Sequence, residues 1–208
     1  MAASFDRDQL LGALDDVARA AVAAKTRLDI AVYGGSALML ASNFRFATED
    51  LDIAEIGKPW PEWLSQVVTE IAERNGWSES WLNDAVTFHL SPLAKPERDL
   101  IPFGTFPRDN GDVGLAISVP SARYMPALKL KALRIAETKG ADDISDVANL
   151  LSALGITEIE PAIEVLAEFF PKTARDADKQ RFVLKRILSR DMSGNAPRYP
   201  RRSDREDC

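Results

Sequence analysis

Apolar side chains near the start of the chain recur three and four positions apart, from Leu10 to Ala21, with charged residues between them. This spacing predicts an amphipathic helix over residues 4–27. A second helix is predicted between Pro61 and Gly76, because proline suits the first turn of a helix and glycine suits its C-terminal cap.

Short β-prone runs separate these helices and continue after them. The run at residues 51–56 alternates strictly between apolar and polar side chains, which is typical of a strand. A short helix is predicted at residues 36–42, and the polar residues 43–49 predict a loop. The predicted strands cover residues 30–33, 51–56, 86–90, 100–106 and 115–119.

The chain changes character after Pro120, where helical patterns replace strands. Gly155 is predicted to cap one of these helices, and Thr157 with Glu160 predicts a capping box at the start of the next. Pro126 lies inside the first pattern, so that helix is expected to kink or to begin late. The predicted helices cover residues 121–138, 142–154, 158–169 and 174–189.

These patterns together predict an α+β fold, in which a mixed sheet is flanked by helices and is followed by a helical C-terminal half. We expect the α+β core to span residues 1–120 and a helical subdomain to span residues 121–191. The remaining residues, 192–208, are rich in Pro, Arg and Asp and predict a mobile tail.

Composition narrows the classes of function. Cys208, the last of 208 residues, is the only cysteine, which excludes an intrachain disulfide and a cysteine-based zinc cluster. The net charge of −6 argues against general coating of nucleic acid but allows a local basic patch. No signal-peptide pattern opens the sequence, and no apolar run approaches the roughly 20 residues of a spanning helix. We therefore expect a cytoplasmic protein with no membrane partner.

Candidate chemistry concentrates between residues 34 and 52. A predicted strand ends in Gly34 and Gly35, and Ser36 opens a helix. Backbone N–H groups at such a helix start can hold phosphate oxygens, and glycine lets the phosphate come close. Asp50 and Asp52 are two positions apart in a predicted strand, so their carboxylates are expected on one face, where Mg²⁺ would relieve their repulsion.

Arg45 lies between these two motifs and is expected to meet phosphate charge. Taken alone, Gly-Gly-Ser is compatible with a tight turn, and Asp-x-Asp is compatible with a solvated strand face. The two motifs in this order, with Arg45 and Thr48 between them, are rarer. Together they favour a nucleotide site that binds metal through Asp50 and Asp52.

A second set of charged residues is predicted to face the core of the helical half. On a helical wheel Lys129 falls within an apolar arc, and on the next helix Asp143 lies in the core-facing arc with Asp146 beside it. Buried charges are costly unless they are paired. Two interpretations stay open: Lys129 bridges to Asp143, or Lys129 binds nucleotide phosphate while Asp143 or Asp146 completes the acidic site.

The motif Gly-Gly-Ser, followed after thirteen residues by Asp-Leu-Asp, resembles the signature of the DNA polymerase beta-like nucleotidyltransferase superfamily. With Arg45 and Thr48 included, it is similar to the abortive-infection nucleotidyltransferase toxins of type IV toxin–antitoxin systems and to their uncharacterised bacterial relatives. Residues 81–84, the Lys129-Leu130 pair and residues 143–146 resemble further segments of these families.

The resemblance implies Mg²⁺-dependent transfer of a nucleotidyl group from an NTP to a hydroxyl on a tRNA end or a protein. It also implies a toxin-like role and an antitoxin partner. The residues that match nucleotide-binding positions are Gly34, Gly35, Ser36, Arg45 and Lys129. Those that match catalytic positions are Asp50, Asp52, Asp143 and Asp146.

The sequence departs from the superfamily pattern at one position. Superfamily enzymes commonly carry a third carboxylate on a neighbouring strand, which acts as general base. Asp84 and Asp99 are candidates by position, but neither lies in a motif that matches. The alternative is a non-catalytic module that keeps the fold and binds nucleotide or a partner protein.

Overall fold

The computed structural model describes residues 4–56, 60–109, 111–133, 140–189 and 196–200. It has a five-stranded mixed sheet flanked by helices and a helical C-terminal portion, which confirms the predicted α+β class. Within these residues no helix is both long and apolar enough to cross a membrane.

The chain forms two compact units that are not consecutive in sequence. The first unit comprises Met1–Ala41, Arg45–His89 and Leu100–Val119. The second unit comprises Ser42–Phe44, Leu90–Asp99 and Pro120–Cys208.

Seven strands are present in the described residues. They are β1 (Phe5–Asp6), β2 (Leu28–Val32), β3 (Ala47–Thr48), β4 (Leu51–Glu55), β5 (Leu82–Asn83), β6 (Leu100–Phe106) and β7 (Leu115–Pro120). The larger sheet has the order β5-β4-β2-β7-β6, and β1 and β3 form a separate antiparallel pair. Strand β2 pairs antiparallel with β4 and parallel with β7, while β4 pairs parallel with β5.

The alternation predicted for the run at residues 51–56 is confirmed in β4. Leu51 and Ile53 are buried in the core, whereas Asp52 between them is half-buried. This pattern follows from strand geometry, since successive side chains point to opposite faces.

The first unit has three helices in its described residues: α1 (Arg7–Ala23), α2 (Gly34–Ala41) and α3 (Trp63–Asn75). Helix α1 begins later than predicted because Asp6 and Gln9 form a capping box. The Asp6 carboxylate accepts the Gln9 N–H at 2.9 Å, and the Gln9 side-chain oxygen accepts the Asp6 N–H at 2.9 Å. Gly76 closes α3 in the left-handed conformation, as predicted.

An aromatic cluster fills the space between β1, α3 and the start of β5. The rings of Phe5 and Trp77 lie 4.5 Å apart, and those of Trp77 and Trp81 lie 5.2 Å apart. The Trp81 indole N–H donates to the Val68 carbonyl at 3.0 Å, so this fully buried side chain also satisfies its polar atom.

Six helices lie in the described part of the second unit. They are α4 (Pro96–Asp99), α5 (Tyr124–Ala132), α6 (Gly140–Leu154), α7 (Ile159–Phe169), α8 (Pro171–Arg175) and α9 (Asp178–Leu188). Helix α7 packs against α5, α8 and α9. At its end the Tyr124 and Phe169 rings lie 4.7 Å apart, and the Ser91 hydroxyl donates to the Phe169 carbonyl at 2.6 Å.

Pro126 and Gly155 behave as predicted. Helix α5 begins late, at Tyr124, and Gly155 has a φ of 71° just after α6. The end of the predicted helix beyond residue 133 lies outside the described residues. So does the predicted mobile tail, except for residues 196–200, where the buried Tyr199 hydroxyl donates to the Pro120 carbonyl at 2.8 Å.

Two predicted elements and one predicted cap are wrong. Ala85–His89 forms a 3₁₀ helix rather than a strand, because the Asn83 side chain accepts the Ala85 N–H and turns the chain out of the sheet. Residues 174–189 form two helices, since Asp176 leaves helical geometry. The capping box predicted from Thr157 is absent: Glu158 begins α7 without a side-chain cap, and Glu160 accepts hydrogen bonds from Arg181.

Gly114 lies where the segment before β7 crosses α1. A Cβ there would collide with the Ala18 backbone carbonyl, so we predict that Gly114→Ala destabilises the fold by about 1–3 kcal/mol. Gly12→Ala is the control: the space around Gly12 is open, and alanine in a helix should be neutral or stabilising by about 0.5–1 kcal/mol. Urea unfolding followed by tryptophan fluorescence checks both; equal stability of the two variants would contradict the close packing.

Candidate functional site

The turn between β2 and α2 forms the base of the candidate site. Gly34 has a φ of 63°, in the left-handed region, where a side chain would add roughly 1–2 kcal/mol of strain. The Tyr33 N–H donates to the Asp52 carbonyl at 2.8 Å, which ties the end of β2 to β4. Helix α2 therefore opens beside β4.

The Asp52 carboxylate lies directly against this turn. A Cβ placed on Gly34 would collide with Asp52 Oδ2, so the carboxylate occupies the space that a side chain at residue 34 would need. The antiparallel register that sets Val32 opposite Ile53 brings Asp52 to this point. A carboxylate at a helix N-terminus is also stabilised by the aligned peptide dipoles.

Asp50 lies immediately before β4 rather than within it, and it is exposed. The buried Ser36 hydroxyl donates to the Asp50 carbonyl at 2.6 Å, and the Thr48 hydroxyl donates to the same carbonyl at 3.2 Å. The expectation that Asp50 is a strand residue is thus corrected, because these two bonds hold its backbone at the start of α2. The Ser36 hydroxyl is used for this bond, which leaves the Ser36 N–H for the predicted phosphate contact.

Arg45 and Thr48 lie over Gly35. A Cβ on Gly35 would be 3.1 Å from Thr48 Oγ1 and 3.5 Å from Arg45 Nη2. The Arg45 Nε–H donates to the Ala47 carbonyl at 3.0 Å, which holds the guanidinium at this position. The pairing of β3 with β1 fixes Ala47 and Thr48 in turn.

The start of α2 therefore gathers both signs of charge. One carboxylate touches Gly34 and one guanidinium touches Gly35, at the end of a helix whose first N–H groups have no partner within the helix. Within the described residues, no group of three or more His, Cys, Asp or Glu side chains is arranged to hold a metal ion. The carboxylates available here are those of Asp50 and Asp52.

Asn83 is a neighbour of Asp52 that sequence reasoning missed. Strand β5 pairs parallel with β4 so that Asn83 is the partner of Asp52, which puts both residues on the same side of the sheet. The next residue, Asp84, is exposed and accepts a hydrogen bond from Trp60 Nε1 at 3.0 Å. Nothing in a single sequence states which strands pair, so β5 could be recognised as a neighbour only from the structure.

Asp99, the other candidate third carboxylate, lies in the second unit. Its carboxylate is buried, and it accepts two hydrogen bonds from Arg98, at 2.7 and 2.8 Å, and one from the Lys95 N–H at 2.7 Å. These bonds use both oxygens to hold the short helix α4. The arrangement is that of a structural carboxylate.

Lys129 lies between two carboxylates in the second unit. Its Nζ is 3.1 Å from Asp143 Oδ1 and 2.8 Å from Asp146 Oδ2. The side chains of Lys129 and Asp146 are only 12% and 3% exposed, which confirms that the helical wheel placed them towards the core. The ion pairs join α5 to α6, as the bridging interpretation expected. The nucleotide role of Lys129 and the catalytic roles of Asp143 and Asp146 stay predictions.

We predict that Lys129→Met lowers the free energy of unfolding by about 3–5 kcal/mol, because it leaves a buried carboxylate without its cation. The control is Asp143→Asn, which keeps the Lys129–Asp146 pair and should cost less than about 1.5 kcal/mol. Thermal melting with and without Mg²⁺-NTP measures both effects. An unchanged melting temperature for Lys129→Met, together with a smaller shift on adding Mg²⁺-NTP, would contradict a structural role and assign Lys129 to the nucleotide.

Comparison with protein-family models, with curated proteins and with solved structures finds no match to this chain. The similarity to nucleotidyltransferases is therefore a hypothesis that rests on the motifs.

Proposed function

We propose that the protein is a nucleotidyltransferase, which moves a nucleotidyl group from an NTP to a hydroxyl acceptor. The observation that carries this proposal is the contact of Asp52 with Gly34 at the start of α2, beside the contact of Arg45 with Gly35. A carboxylate for metal, a guanidinium for phosphate and the N–H groups of a helix start then lie at one place. Neither a plain tight turn nor a solvated strand face requires that combination.

In this proposal the triphosphate lies at the N-terminus of α2. The Gly35 and Ser36 N–H groups donate to phosphate oxygens, because the first amides of a helix lack partners within it. The Arg45 guanidinium, held over Gly35, neutralises further phosphate charge and can donate two parallel hydrogen bonds. Gly34 has no side chain that could block this approach.

The donor set at this point fits Mg²⁺. Proteins bind this ion through one or two carboxylates, and substrate phosphates and water complete its shell. Asp50 and Asp52 would supply the protein ligands, so a third carboxylate is not needed to hold the ion. Bound there, Mg²⁺ would neutralise charge that develops on the phosphates.

The proposed reaction is a displacement at the α-phosphorus. The acceptor hydroxyl oxygen forms a bond to that phosphorus, the bond to the bridging oxygen breaks, and pyrophosphate leaves. The hydroxyl proton passes to a carboxylate, for which Asp84 is the candidate because it follows Asn83, the strand partner of Asp52. A tRNA end or protein acceptor, a toxin-like role, an antitoxin partner and a cytoplasmic location belong to the same proposal and rest on the resemblance.

A specific observation favours the second candidate, a non-catalytic module that binds nucleotide or a partner. Lys129 is neutralised by Asp143 and Asp146, and Asp99 is held by Arg98. Three of the acidic side chains considered for catalysis are thus engaged in ion pairs. A protein that binds NTP without transferring it needs only the residues around α2.

Calorimetry with a non-hydrolysable NTP tests the site itself. We expect binding that depends on Mg²⁺ and that weakens at least about tenfold, or about 1.4 kcal/mol, in the variant carrying Asp50→Asn and Asp52→Asn. The matched control is Glu49→Gln, which removes a neighbouring exposed carboxylate and should bind as the wild type does. Equal affinity in all three proteins would refute a nucleotide site at α2.

Transfer is then tested separately from binding. Pyrophosphate release from NTP in the presence of RNA should be abolished by Asp52→Asn and reduced by Asp84→Asn, with Glu49→Gln again unchanged. Mg²⁺-dependent binding without any release would favour the non-catalytic module.

A further inference from the structure

The outer face of α9 combines positive charge with an exposed aromatic ring. Phe182 is 69% exposed in the middle of the helix. Lys179, Lys185 and Arg186 are also exposed, and they surround Phe182 at spacings of three and four residues. With a helical advance of about 100° per residue, the four side chains fall within an arc of about 120°. These four residues are called the α9 face below.

The opposite side of α9 explains why this face is turned outward. Val183, Leu184 and Ile187 are buried, and the Gln180 side chain donates to the Leu130 carbonyl at 3.2 Å. Helix α9 packs on α6 and α7 through this side. Its orientation is therefore fixed by the core, and the α9 face is a defined surface of the second unit.

The charges of the α9 face are not neutralised by neighbours in the part of the chain that the structure describes. No ion pair joins Lys179, Lys185 or Arg186 to a described carboxylate, whereas Arg181 on the flank pairs with Glu160. Asp178, in the first turn, is the one acidic residue of α9 itself. From residue 171 to 189 the sequence has six basic and two acidic residues, in a chain whose net charge is −6.

We propose that the α9 face binds single-stranded nucleic acid. Lysine and arginine neutralise phosphates, and an exposed aromatic ring between them can stack with a base, which every base allows. This inference is independent of nucleotide transfer, since it concerns no residue of the α2 site. The net negative charge of the chain does not prevent it, because charges more than about 10 Å away are largely screened at 0.1 M salt.

The helix dipole and an acidic protein partner each account for less of the α9 face. Lys185 and Arg186 lie in the last turn, where positive charge interacts favourably with the helix dipole. That interaction does not account for Lys179 in the first turn or for Phe182. An acidic protein would match the charges, but it has no flat ring system to cover an exposed phenyl group, whereas an unpaired base has one.

The test uses the full-length protein and a fluorescein-labelled 15-nucleotide oligouridine RNA, followed by anisotropy at several salt concentrations. The three cations span about 10 Å of helix, so the patch is small and binding should be measured from 50 mM salt upwards. If all three contact phosphates, the plot of log affinity against log salt has a slope of about −2, or a loss of about 15-fold between 50 and 200 mM.

The variant with Lys179, Lys185 and Arg186 changed to Gln should lose this slope and bind at least tenfold more weakly at 50 mM salt. Its matched control changes three exposed cations elsewhere to Gln, and it should bind like the wild type. The control positions are Arg7, Lys25 and Lys95. All of these side chains are exposed, so both variants should melt at the wild-type temperature.

Variants of Phe182 separate stacking from simple charge attraction. Phe182→Ala and Phe182→Leu should each weaken binding about tenfold without changing the salt slope, while Phe182→Trp should restore it. Full binding by Phe182→Leu, equal loss in the control triple variant, or no binding at 50 mM salt would each overturn the proposal. An oligoglutamate peptide that binds with the same affinity as the RNA would overturn it in favour of an acidic protein partner.

Discussion

The contact between the Asp52 carboxylate and the Cα of Gly34 is the constraint on which the candidate site depends. It requires a residue without a side chain at a positive φ, and it requires β4 to run antiparallel to β2 in one register. A shift of one residue would turn Asp52 to the opposite face of the sheet. The Ser36 hydroxyl reinforces the same arrangement through its bond to the Asp50 carbonyl. Backbone pairing, turn geometry and site chemistry are thus fixed together.

In the second unit, buried charge is used differently. Lys129 balances Asp143 and Asp146 between α5 and α6, and Asp15 in the first unit is similarly held by Arg108 through three hydrogen bonds. Such groups are costly to strand but add little chemistry while they are paired. The exposed charges of α9 differ in kind, because burial of the opposite helix side turns them outward. Its apolar side packs against the fold, and its basic side with Phe182 faces solvent.

Features set by local sequence could be predicted, whereas features set by pairing could not. The amphipathic period of α1, the glycine end of α3 and the alternation of β4 depend on neighbouring residues, and all three agree with the structure. The burial of Lys129 followed from helical spacing in the same way. The neighbour Asn83 depends on which strands pair, which no local pattern reveals. The strand predicted at residues 86–90 is absent because the Asn83 side chain redirects the chain through a local turn.

The most direct measurement of the central claim is a crystal structure of the protein with Mg²⁺ and a non-hydrolysable NTP. The account predicts phosphate oxygens within hydrogen-bond distance of the Gly35 and Ser36 amides and of the Arg45 guanidinium. It also predicts a metal ion that contacts the carboxylates of Asp50 and Asp52. A nucleotide bound elsewhere, or a metal ion that touches neither carboxylate, would contradict it.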